Sequence, residues 1–189
     1  MPAAEQFQLY TAEEYLEEEA SREVRHEYLG GTIHAMAGAN RRHNEIVSSI
    51  LAHLRPQWKG GPCKVFIEAV KLHIKTSLSE YFYYPDVMVG CDPSDDHEYC
   101  LERPSILFEV LSPPTEQIDR REKLLAYQAI PTLRHYVVVA HDERRVEWLH
   151  CEGNAWSLTV LTAADDRIEF PEQGATLALA EIYEGIGFE

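Results

Sequence analysis

Two carboxylates stand where a folded chain tolerates them least. Asp86 follows Tyr84-Pro85 inside Phe-Tyr-Tyr-Pro-Asp-Val-Met-Val, residues 82–89, and Glu109 lies in the nearly unbroken apolar run from Ser105 to Leu111. Aromatic and β-branched residues at this density form buried strands. An ionised carboxylate there is costly unless a cation or hydrogen-bond donors compensate it. A hard divalent metal with oxygen ligands is a common answer. Pro85 has no N–H for a sheet ladder, so it marks a strand start, an edge or a bulge, where a side chain can be re-aimed at a ligand. The chemistry suggested is metal-assisted, with Asp86 and Glu109 forming one site.

The elements that must position this pair are readable from period and turn signals. Thr11-Ala12-Glu13-Glu14 has the form of a capping box and opens a short acidic helix, whose run Glu17-Glu18-Glu19 reads as a solvated face. Glu27-Tyr28-Leu29 and Thr32 to Met36 flank Gly30-Gly31 as a β-hairpin, with Glu27 facing water on spacing alone. Ala39 to Gln57 is a long helix capped by Asn40, with Ile46, Val47, Ile50, Leu51 and Leu54 on one stripe. His43, in its first turn, reads as a capping or surface histidine. Val65 to Ile74 is a strand carrying Glu68, Lys71 and His73, so Lys71 emerges near its end. Ser112-Pro113-Pro114-Thr115 breaks the chain. Glu116 to Ile130 is then a second helix, on which Asp119, Lys123 and Tyr127 share a face; spacing alone makes them an exposed ion pair and an amphipathic tyrosine. His135 to Ala140, Arg144 to His150 and Trp156 to Thr162 are further strands, the last two joined at Glu152-Gly153-Asn154. Residues 65–74, 82–89, 105–111 and 135–140 should form a mixed β-sheet flanked by both helices.

A length of 189 residues with 45% hydrophobic content suits one globular unit. No apolar run reaches the roughly 18 residues of a membrane span, and the N-terminus lacks the order of a signal peptide, so a cytoplasmic protein is expected. Cys63, Cys91, Cys100 and Cys151 form no C-x-x-C pair, which fits reduced thiols. Cys91, His97 and Cys100 match no zinc knuckle. No glycine-rich phosphate loop is present, which argues against nucleotide-triphosphate chemistry. The net charge of −15 opposes a polyanionic partner unless basic residues cluster locally or metal ions neutralise the site.

An aspartate after proline on one strand, a glutamate on the next core strand and a lysine on the following helix together resemble the PD-(D/E)XK nuclease superfamily, and within it the Uma-two family of endonucleases. The likeness runs through Tyr10 to Tyr15, Glu27 to Gly31, His43-Asn44, Tyr84 to Val87, Phe108 to Pro113, Asp119 with Lys123 and Tyr127, and Pro131 to Val138. It implies a restriction-endonuclease-like α/β fold spanning 1–189, with an N-terminal helix and hairpin (1–38), a nuclease core (39–140) and extra β-strands on the C-terminal side (141–189). It also implies Mg²⁺- or Mn²⁺-dependent cleavage of phosphodiesters, with DNA the expected substrate. Asp86, Glu109 and the Val110 carbonyl would hold the metal. The superfamily's lysine stands two residues after the acid, where this chain has Leu111. The resemblance therefore assigns the cation to Lys123, with Lys71 in reserve and Glu27, His43, Asp119 and Tyr127 as accessory groups. A homodimer is expected. The competing class is a dimeric binding or structural protein that keeps the fold without the chemistry.

Overall fold

The computed structural model describes residues 9–36, 38–111 and 116–188, with side chains at 9–36, 38–111 and 122–188. In order the elements are α1 (Ala12–Glu19), β1 (His26–Leu29), β2 (Thr32–Ala35), α2 (Arg41–Leu54), β3 (Lys64–Ile67), β4 (Lys71–Lys75), β5 (Glu80–Tyr83), β6 (Val87–Gly90), β7 (Cys100–Leu101) and β8 (Pro104–Leu111). There follow α3 (Glu116–Gln128), β9 (His135–Ala140), β10 (Val146–Glu152), β11 (Ala155–Leu161), β12 (Arg167–Phe170), β13 (Ala175–Ala178) and α4 (Leu179–Ile182). Local chemistry sets several boundaries. Thr11 and Glu14 exchange the reciprocal bonds of a capping box. The Asn40 side chain accepts the His43 N–H at 2.9 Å and fixes the first turn of α2. Gly30 and Gly31 turn the first hairpin at φ of 56° and 115°, a region that side chains with a Cβ rarely enter.

A six-stranded sheet in the order β11-β10-β9-β8-β6-β3 forms the centre. β8 and β9 are parallel, which requires a crossover connection, and α3 supplies it. The strands β6, β8 and β9 are buried on both faces, which explains their unbroken apolar sequences. Val87, Val89, Ile106, Phe108, Val137 and Val139 pack against α2, β12, β13 and α4. Met88, Leu107, Tyr136 and Val138 turn the other way, onto α3 and onto a five-stranded sheet, β2-β1-β5-β4-β7. Glu109, two residues beyond Leu107, takes the α3 side by the same alternation.

Several expectations from sequence are corrected here. Residues 65–74 are two strands rather than one: β3 belongs to the six-stranded sheet and β4 to the five-stranded sheet, and Glu68 lies between them at φ 45°. Residues 82–89 divide in the same way, into β5 and β6 around Tyr84-Pro85-Asp86. Pro85 supplied a signal for its break, having no N–H to pair; Glu68 supplied none, since glutamate is not a residue type that marks a positive φ. Cys63 and Cys91 are not reduced thiols. They adjoin the Lys64–Gly90 pair of the antiparallel β3–β6 ladder and are joined by a disulfide, while Cys100 and Cys151 are free. Strand register brings them together, and sequence spacing does not reveal register. Glu19 is not on a solvated face: it is buried and accepts the Tyr84 hydroxyl at 3.1 Å and the His26 N–H at 2.9 Å. Among the described residues no helix is long and apolar enough to cross a membrane.

Candidate active site

The two chain crossings between the sheets, at 68–70 and 84–86, put the candidate site on the seam. Asp86 immediately precedes β6, which pairs with β8, so Asp86 and Glu109 belong to one strand pair. The Val110 N–H donates to Asp86 Oδ2 at 2.6 Å. His43 Nε2, from the first turn of α2, lies 3.1 Å from Asp86 Oδ1. A backbone donor on one oxygen and an imidazole on the other fix the orientation of this carboxylate, which is 16% exposed. His43 Nδ1 is buried without a hydrogen-bond partner among the described residues.

Glu109 is 5% exposed. Its Oε1 accepts the Tyr127 hydroxyl at 2.7 Å and lies 3.3 Å from Lys123 Nζ. Lys123 also reaches Glu27 Oε1 at 2.9 Å, and the same oxygen accepts the Tyr84 N–H at 3.4 Å. One chain of polar contacts therefore joins β1, β8, α3 and the crossing before β6. Aromatic packing holds the helical members in place. Tyr127 meets Tyr83 and Tyr136 edge to face, with centroids 5.5 and 5.2 Å apart, and Lys123 Nζ lies 5.6 Å from the centre of the Tyr83 ring.

Electrostatics follow from burial and crowding. Burial pushes the Glu109 carboxyl up; Lys123 opposes this, Asp86 and Glu27 add to it, and the pKa is raised to about 7. Burial disfavours the Lys123 ammonium, but Glu109 and Glu27 outweigh it and hold the pKa above the usual lysine range. For His43, burial opposes the charge, while the hydrogen bond and charge of Asp86, helped by Glu68 and Glu109, raise its pKa above that of a free histidine. Burial first, and Glu109 next, push the Tyr127 hydroxyl far up, so it remains a donor at any physiological pH.

Six of the residues singled out from sequence therefore meet: Asp86, Glu109, Lys123, Tyr127, Glu27 and His43. Spacing alone had put Glu27 in water and His43 at the surface. Lys71 does not reach Glu109's oxygen; it stands with Nζ 5.5 Å from the centre of the Tyr84 ring. Asp119 lies on α3, but its side chain is outside the described residues. Val110 is present through its N–H. Sequence reading missed Glu68 as a neighbour of His43, and Arg25 and Tyr84 as a pair. The continuous-strand reading of 65–74 hid the first, and no local pattern marked the others. Among the described residues, no three His, Cys, Asp or Glu side chains are gathered closely enough to hold a metal ion as they stand.

Several known proteins have similar chains. Two relatives are the uncharacterized proteins slr1290 and sll1609 of Synechocystis sp. The first is 31% identical over 183 residues, covering 96% of this chain and 95% of its own. The second is 31% identical over 166 residues, covering 86% and 93%. The crystal structure of a putative nuclease belonging to DUF820 from Anabaena variabilis superposes with a TM-score of 0.66 at 18% identity, covering 92% of this chain and 97% of that one. That likeness supports the restriction-endonuclease-like fold: mixed sheets flanked by helices, with added strands on the C-terminal side. The profile of the Uma2 family, described as "Putative restriction endonuclease", matches residues 12–180, and the chain belongs to that family.

Proposed function

We propose that this chain is a metal-dependent endonuclease that hydrolyses phosphodiester bonds in nucleic acid, with DNA the first substrate to test. The observation that carries the reading is the convergence of Asp86, oriented by the Val110 N–H, with Glu109, which shares Lys123 with Glu27.

The donor set suits a hard divalent ion. Glu109 and Glu27 share the Lys123 ammonium, Asp86 lies on the same strand pair, and the Asp86 and Glu27 charges add to the burial that raises the Glu109 pKa. A strand residue directs its N–H and C=O towards the same neighbour, so the Val110 carbonyl accompanies its N–H towards Asp86 and can complete the set. Asp86 and Glu109 would hold Mg²⁺ or Mn²⁺, which polarises a phosphate and lowers the pKa of a water. Around it the chain's own groups divide the work. The Val110 N–H and His43 fix Asp86, Tyr127 fixes Glu109, and Lys123 carries a permanent charge that stabilises the negative charge developing on the phosphate. Glu27 holds Lys123 in place.

The test couples binding to cleavage. Calorimetry with Mn²⁺ should show binding to the wild type and its loss in Asp86→Asn and Glu109→Gln; undiminished affinity in both variants refutes the pair. In Mg²⁺, nicking of plasmid DNA should fall roughly 100- to 1,000-fold in Lys123→Ala while ion binding persists. Activity that survives in Lys123→Ala and vanishes in Lys71→Ala moves the role to the strand lysine. A wild type that neither binds an ion nor cuts any nucleic acid is the inert scaffold.

A further inference from the structure

Beside the carboxylates stands a second cluster, of opposite sign. Tyr84 is two residues before Asp86, and its buried ring carries two cations: Arg25, with Cζ 5.8 Å from the ring centre, and Lys71, with Nζ at 5.5 Å. Neither has an ion-pair partner among the described residues. Arg25 Nη1 instead donates to the main-chain carbonyl of Glu68 at 2.8 Å, at the strained residue between β3 and β4. The carboxylate at the Tyr84 hydroxyl, Glu19, is buried and already shared among that hydroxyl, the His26 N–H and the His26 ring. Each member is tied to the site: Tyr84 through its N–H to Glu27, and Glu68 through its charge to His43.

Two like charges on one ring repel each other, and a ring face and one carbonyl offset that repulsion only in part, since each such contact contributes on the order of 1 kcal/mol. In a chain of net charge −15, two cations gathered at one ring, neither of them ion-paired among the described residues, are an arrangement that an anion completes. The buried ring cannot stack on a base, so what can meet the pair is the backbone of the strand, through its phosphates. We propose that Arg25 and Lys71 are positioning residues that grip the nucleic-acid phosphates flanking the scissile bond and hold the strand across Tyr84 towards Asp86. This rests on the nuclease reading, and it accounts for how an acidic protein could retain a polyanion: by a local grip beside the metal site.

The experiment measures salt dependence. Binding of a fluorescein-labelled single-stranded DNA is followed in Ca²⁺, from about 50 to about 200 mM salt, for the wild type, Arg25→Gln, Lys71→Gln, Arg25→Lys and Lys71→Arg, each checked for a native circular dichroism spectrum. Each glutamine variant should flatten the slope of log Kobs against log salt by about 0.7, the value for one phosphate contact on a single strand. The charge-preserving variants should keep most of the wild-type slope. In Mg²⁺, the glutamine variants should raise KM several-fold with kcat within about threefold. Wild-type slopes in both glutamine variants overturn the grip and leave the nuclease reading intact. Equal losses in the lysine-for-arginine and arginine-for-lysine variants overturn it in favour of a structural role. A wild type that binds no nucleic acid overturns both readings.

Discussion

Replacing Glu109 with glutamine should change how stability depends on pH, in a direction the structure fixes. In the folded chain the carboxyl is 5% exposed, and its pKa rises from 4.5 to about 7 through burial, with Lys123 opposing and Asp86 and Glu27 adding to the rise. Because the folded pKa is above the unfolded one, the folded state binds the proton more tightly. The contribution of Glu109 is therefore fully present at pH values below about 4.5 and is lost as pH rises towards and past 7. At 1.36 kcal/mol per unit, the loss across this window is about 3 kcal/mol, or roughly 6–12 °C in Tm for a chain of this size. Glutamine keeps an oxygen to accept the Tyr127 hydroxyl and removes the titration. Urea unfolding in EDTA, at intervals from about pH 5 to about pH 8, gives the wild-type minus variant difference, in which groups common to both proteins cancel. That difference should fall by about 3 kcal/mol as pH rises, and Mg²⁺ should flatten it by favouring the ionised carboxylate. A difference that is constant with pH would mean that Glu109 ionises normally and that the crowding argument is wrong.

Tyr127→Phe removes the 2.7 Å hydrogen bond to Glu109; it should cost about 1–3 kcal/mol in the same denaturation assay and move the wild-type pH transition upward, since that bond favours the ionised acid. Cys63→Ser with Cys91→Ser opens a link spanning 28 residues and should lower stability by up to about 4 kcal/mol by loop entropy; reductant should shift the urea midpoint of the wild type and not that of the variant, and two extra thiols titrating in the unreduced, unfolded wild type would refute the link. Glu68→Gly relieves a side chain held at φ 45° and should stabilise by about 1 kcal/mol in thermal unfolding; a loss of comparable size would show that the Glu68 carboxylate matters more than its strain.

What the sequence made legible divides along physical lines. Asp86 and Glu109 stood out because a buried charge is costly wherever the chain goes, so strand-like surroundings were enough to mark them. The paired elements of the first hairpin, the caps of α1 and α2 and the β10–β11 turn were legible because their causes are local. Arg25 and Glu68 were not, and Glu27 and His43 stood out only through the family resemblance, because each meets its neighbours only when the seam between the sheets closes, and on its own element each looks like an ordinary surface residue. The β12–β13 hairpin and α4 went unread for a related reason. Their strands are four residues long, too short for a period to declare itself, and they are held by docking on α2 and on the 3-10 turn Arg55–Trp58 that follows it, where the Gln57 side chain bonds both main-chain groups of Thr176.

The departure at Leu111 is matched by a cation that reaches Glu109 from a different element. Leu111 has the same parity as Glu109 on β8, so it points to the side that α3 covers, and it packs at the margin of the apolar cluster there. A lysine at 111 would have to bury its stem in that cluster. Lys123 approaches the same region from above, on the crossover helix that the parallel β8–β9 pairing requires. Its ammonium stands 5.6 Å from the centre of the Tyr83 ring, between Glu109 and Glu27. Electrostatic stabilisation depends on where a charge sits and how firmly it is held, and not on which stretch of backbone supplies it. The contacts to Glu27 and Glu109 supply that hold, so the second acid from the five-stranded sheet is part of the same arrangement that lets the lysine come from a helix.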